Sequence, residues 1–149
     1  MRAHLLVLVV LVVSTAGLLA SSAMTDDSSA ARRPTLTVVG SDFGRVLFDG
    51  SNRALYAFTR DPSGRSSCYG ACAAAWPPYI VSGQLHAGSG TQRSLLGTTL
   101  RRDGKRQLTY AGKPLYRYVG DPVGEIRCQN VREFGGLWLV VRPSGAVVR

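Results

Sequence analysis

Histidine, lysine, cysteine and acidic side chains are all scarce in this chain. Its 149 residues include two His, two Lys, three Cys and nine Asp or Glu. Two histidines exclude a His-rich metal store. His4 lies in a segment read below as a leader, so His86 stands alone and cannot build a multi-histidine metal site. Its neighbours are small and flexible, which reads as a surface loop. Three cysteines exclude the disulfide-dense scaffolds of very small secreted domains. No GxSxG elbow, GxxxxGK phosphate loop, Rossmann glycine fingerprint, c-type haem signature or zinc-finger spacing is present. The length excludes a large multidomain enzyme. No cofactor and no metal site is expected.

Arginine, in contrast, is abundant. Sixteen Arg and two Lys against nine acids give a net charge of +9. From Arg32 onward the balance is 17 basic against 7 acidic residues. Such a surface attracts anionic partners. Without zinc-finger spacing or an aromatic-basic platform, and with export indicated, nucleic acid is not expected. The expected partner is an anionic cell-wall or membrane-surface polymer.

Export is read from the N-terminus. Arg2 and His4 precede the apolar stretch Leu5–Val13, and Ser21 and Ala23 suit the −3 and −1 positions of a cleavage site. The expected organisation is a signal peptide over 1–23, a disordered spacer over 24–33 and a folded domain over 34–149. An uncleaved anchor is the alternative, although the apolar stretch falls short of the roughly 20 residues that span a bilayer.

The folded part repeats itself. At a constant offset of 60, Leu55, Tyr56, Phe58, Asp61, Pro62, Gly64 and Cys68 recur as Leu115, Tyr116, Tyr118, Asp121, Pro122, Gly124 and Cys128. Two related units follow, near residues 40–80 and 100–145, packed about a pseudo-twofold axis because so short a unit buries little core alone. Alternating apolar residues predict strands at Leu36–Val39, Val46–Phe48, Leu55–Phe58, Leu95–Leu100, Gln107–Tyr110, Leu115–Tyr118, Leu137–Val141 and Ala146–Val148. Ala111–Pro114 reads as a turn. Within the aromatic strands, Tyr56/Phe58 and Tyr116/Tyr118 share a face and point to the core. Arg117 on the opposite face predicts that this face is wet. Cys72–Trp76 forms at most one helical turn, ended by Pro77-Pro78. The fold class is all-β: a small antiparallel domain of two repeats, with an N-terminal signal helix.

These motifs resemble a bacterial, actinobacterial-type family of secreted repeats, or lipoproteins with a Yx(F/W/Y)xxD motif. The residues that carry the resemblance are Tyr56–Asp61, Cys68–Pro78, Pro114–Tyr118, Asp121 and Phe134–Val141. It implies an envelope or extracellular location and a tandem β-rich repeat, with no established activity. The chain departs from the pattern twice. No lipid-accepting Cys follows the leader, and Cys128-Gln129-Asn130 stands where members carry a glycine-rich segment.

Three functional readings follow. The first is an exported, noncatalytic envelope module. Its candidate binding patch is Trp76, beside two prolines, with Tyr69 and Tyr79, while Trp138 alternates into the core. The second is a thiol-disulfide or electron-transfer accessory that uses Cys68 and Cys72. A CxxxC pair outside the cytoplasm also suits a structural staple, and Cys128 leaves other pairings, or a free thiol, open. The third is a small hydrolase that uses Asp61 and Asp121 as paired carboxylates. The alternative role for these aspartates is local, an Asx-type turn before Pro-x-Gly.

Overall fold

A computed structural model describes residues 35–149, so the expected signal peptide, its helix and the spacer fall outside the described residues. Eight strands and one short α-helix occur in the order β1 (Leu36–Ser41), β2 (Gly44–Asp49), β3 (Tyr56–Phe58), α1 (Ala71–Ala75), β4 (Leu96–Leu100), β5 (Arg106–Tyr110), β6 (Lys113–Tyr116), β7 (Val131–Glu133) and β8 (Gly136–Val140), with a 3-10 turn over Arg93–Leu95 leading into β4. All pair antiparallel. β1 and β2 form a two-stranded sheet, and the others a six-stranded sheet of order β4-β5-β6-β3-β8-β7. The domain is almost entirely β.

The repeats meet where β3 pairs with β6, and in that register Tyr56 lies directly opposite its own equivalent, Tyr116. The pseudo-twofold axis passes between them. Each repeat then lends backbone to the other. β8 of the second repeat pairs with β3 of the first, with Tyr56 opposite Val140. The segment after α1 bridges to the second repeat, with Pro78 opposite Tyr116. The turns are exchanged as well. Gly64 N–H donates to the Gly112 carbonyl and Gly124 N–H to the Asn52 carbonyl, each at 2.7 Å. Gly64 and Gly124 sit at φ +70° and +82°, which a Cβ would strain.

Strand alternation divides the interior in two. Tyr56, Phe58, Tyr116, Trp138 and Val140 point into one cluster, together with Cys68, Cys72 and Trp76. Leu55, Ala57, Leu115 and Val141 point the other way and join Leu36, Leu108 and Tyr110. The central strands are therefore covered on both sides, which corrects the expectation of a wet face. Ala57 is buried, and half-buried Arg117 pairs with Asp49 at 2.6 Å. A sheet with two covered faces needs near-continuous apolar runs, and Leu137–Val141 supplies one.

Three further departures have local causes. β7 is polar, Val131-Arg132-Glu133, and carries no alternating apolar signal. Ala111–Pro114 is not wholly a turn: only Ala111 and Gly112 turn, both at positive φ, and β6 begins at Lys113. Ala146–Val148 makes one bridge, Val141 to Val147, rather than a strand.

Candidate functional site

The repeat motif residues converge on the pseudo-twofold axis. The Tyr56 hydroxyl donates to Asp121 Oδ2 at 2.5 Å, and the Tyr116 hydroxyl to Asp61 Oδ2 at 2.6 Å. Each tyrosine thus bonds the aspartate of the other repeat. The second carboxylate oxygen closes its own loop. Asp61 Oδ1 accepts from Ser67 N–H and Oγ, and Asp121 Oδ1 from Arg127 N–H. Asp61 and Asp121 do serve loops, but the donating amide is six residues on, not two, so the Asx-turn expectation is corrected. Burial holds both carboxyls above their ordinary range even though each accepts hydrogen bonds. It also pushes the Tyr56 and Tyr116 hydroxyls up, helped by the facing carboxylates.

Above these pairs stands a column of four rings. Phe58 stacks on Trp138 at 4.1 Å and Trp138 on Trp76 at 4.1 Å, while Tyr118 meets Trp76 at 4.6 Å with its plane tilted by 39°. Tyr56 meets Trp76 edge-on at 5.2 Å, and Tyr116 meets Trp138 edge-on at 5.1 Å. The column is symmetric about the two indoles, which are repeat equivalents despite an offset of 62 rather than 60. Trp76 is completely buried, and its Nε1–H donates to Glu133 Oε2 at 2.7 Å. The expectation of Trp76 as an exposed platform is therefore wrong. Pro77-Pro78 turns the chain so that the indole faces inward.

Tyr69 and Tyr79 consequently do not extend a patch with Trp76. Tyr69 lies under the guanidinium groups of Arg101 and Arg102, at 4.3 and 3.9 Å. Tyr79 carries Arg117 over its ring at 4.3 Å and donates its hydroxyl to the Thr35 carbonyl. His86 bonds Thr35 only through its backbone.

Cys68 and Cys72 form a disulfide with Cα atoms 5.3 Å apart, inside the core. Cys128 is a free, half-buried thiol packed, like Tyr118, against the aromatic cluster. Burial pushes that thiol up, and Asp121 and Glu133 add to the effect. The adjacent departure from the family pattern also has a structural role. Gln129 Oε1 accepts from Val140 N–H at 2.7 Å, and its Nε2–H donates to the Val148 carbonyl at 2.8 Å. Asn130, at φ 62°, donates its N–H to Trp138.

Sequence reasoning missed one buried cation. Arg101 is 4% exposed and donates to Ser66 Oγ, Gln107 Oε1 and the Cys68 carbonyl. The alternation of Thr99 and Arg101 with exposed Leu100 and Arg102 was the available signal. A depression of about 330 Å³ over the repeat junction brings Phe58, Asp61, Lys113 and Arg149 together. All four oxygens of Asp61 and Asp121 already accept hydrogen bonds, an arrangement unsuited to the acid and nucleophile of a hydrolase.

The surface carries what the interior does not use. Residues 35–149 hold 15 basic and 7 acidic side chains. Asp49, Asp61, Asp103, Asp121, Glu125 and Glu133 each accept a hydrogen bond within the domain. Among the described residues, only Arg101, Arg117 and Arg127 lie within 4.0 Å of a carboxylate. The other basic side chains have no such neighbour.

No curated protein and no solved structure matches the chain. A family model does match it, in two segments, 37–79 and 97–142, which coincide with the two structural repeats. The chain is thus a two-copy member of the family described as a secreted repeat of unknown function.

Proposed function

We propose that this exported module works by binding rather than by catalysis, and that its ligand is an anionic polymer of the cell envelope. The observation that carries the reading is the division of charge. Six of the seven acids in residues 35–149 are engaged with partners inside the domain, whereas most of the cations face outward without a carboxylate. Eleven of the 15 cations are exposed, against Asp42, Asp103 and Glu125 among the acids. Thirteen of those 15 cations are arginines, whose planar fork pairs with phosphate or carboxylate through two hydrogen bonds. The disulfide and the paired aspartates belong to the framework that holds this surface.

Retention of the protein on purified cell wall tests the reading. Binding is expected at low ionic strength and release as the salt rises, because contacts between exposed charges are screened beyond a Debye length of about 8 Å at physiological salt. Retention that does not change between low and high salt overturns it.

A further inference from the structure

We propose that the tip of the β4–β5 hairpin docks on an anionic phospholipid bilayer, with Leu100 entering the headgroup layer. This rests on the polyanion-facing reading of the surface and narrows one part of it to lipid. β4 ends at Leu100, which lies opposite Arg106 in the hairpin register. Leu100 is 73% exposed, the most exposed of the large apolar side chains. Around it stand Arg102, Lys105 and Arg106, all exposed, with Asp103 as the single acid of the turn. A hydrated polymer offers a leucine nothing. A bilayer offers phosphates to the cations and acyl chains to the leucine between them.

The tip is held rigid from beneath. Buried Arg101 fastens the hairpin root to Ser66 and to the Cys68 carbonyl, within the disulfide loop. The Arg102 N–H donates to the Tyr69 hydroxyl at 3.2 Å, and its guanidinium lies over the Tyr69 ring. The Arg102 cation is thereby presented in a fixed position, and the hairpin root loses little freedom on binding.

A second apolar tip supplies an internal control. Phe134, 41% exposed at φ 54°, caps the β7–β8 hairpin. β4 and β7 are the two edges of the sheet. Counting the antiparallel strands between them places the two hairpin turns at opposite ends. One flat bilayer therefore meets the Leu100 tip or the Phe134 tip, not both.

The test is cosedimentation of the full chain with vesicles of phosphatidylcholine, alone or mixed with phosphatidylglycerol. Binding is expected only to the anionic vesicles. Each tip cation contributes about fivefold to partitioning, so Arg102→Ser/Lys105→Ser/Arg106→Ser lowers it about a hundredfold. Leu100→Ser lowers it about fivefold, and Phe134→Asn leaves it unchanged. The comparison triple Arg45→Ser/Arg65→Ser/Arg132→Ser, equal in charge and exposed, lowers it far less than the tip triple. Equal loss in the two triples, no effect of Leu100→Ser, equal binding to neutral vesicles, or no vesicle binding overturns the proposal. Salt-sensitive wall retention without vesicle binding sinks the tip and spares the polymer reading; failure of both assays sinks both.

Discussion

Tyr56→Phe removes one hydroxyl from the centre of the molecule and leaves the ring in place. The lost bond runs to an ionised acceptor, and such bonds contribute about 1.5–3 kcal/mol. Asp121 Oδ2 keeps no other side-chain partner, so part of its desolvation is no longer offset. We take about 2 kcal/mol as the expected loss. At about 4 °C per kcal/mol for a domain of this size, Tm falls by about 8 °C. Tyr116→Phe, whose hydroxyl also meets Ser66 at 2.7 Å, loses at least as much. Urea unfolding at neutral pH, followed by tryptophan fluorescence, reads both, because both indoles lie beside these tyrosines. The decisive measurement is a pair of double-mutant cycles. Tyr56→Phe with Asp121→Ala should show coupling of about 1.5 kcal/mol or more. Tyr56→Phe with Asp61→Ala, the pair within one repeat, should be additive to about 0.5 kcal/mol. Coupling within the repeat and none across it would refute the exchange of bonds between repeats.

Three further outcomes are expected. Because Asp61 and Asp121 have raised pKa values in the fold, their contribution is present while they are protonated and is lost as the pH climbs from about 4 through those values; stability should decline over that rise, and Asp61→Asn/Asp121→Asn should flatten the profile in a series of thermal melts. Cys68→Ser/Cys72→Ser should cost about 2 kcal/mol of stability in the chain-entropy picture, while a thiol reagent applied to denatured, unreduced wild type should count one thiol per chain, that of Cys128. Trp76→Phe should lower stability by about 1–3 kcal/mol by leaving Glu133 without its indole donor, a loss that urea unfolding reads.

The repeat was legible because it is written at a fixed offset in residues that the fold cannot exchange cheaply: two turn glycines, two aspartates and two aromatic strands. Most strands followed from apolar alternation, and Trp138 was placed in the core on the same ground. The partners of these residues were not legible. Local reasoning assigns Asp61 to its own turn, since nothing in the spacing of Tyr116 says that its hydroxyl crosses the axis. Trp76 was misplaced because two following prolines mark a corner without saying which way it faces. Its equivalence to Trp138 was hidden by two extra residues in the second copy, which shift the offset to 62. Of the proposed surface, the excess of arginine was visible at once. Which acids would be consumed inside, and so how one-sided the exterior would be, required the hydrogen bonds.

The exchange of groups across the axis gives this domain the internal geometry of a symmetric dimer whose two subunits share one chain. A dimer of identical half-chains must present the same chemistry at every pair of positions that its axis relates. A tethered pair is free of that requirement. Here one end of the ring column terminates in Phe58 and the other in Tyr118, and the equivalent cysteines are a disulfide in one half and a thiol in the other. The tether thus gives the molecule a polarity, with two distinguishable ends on a nearly symmetrical frame.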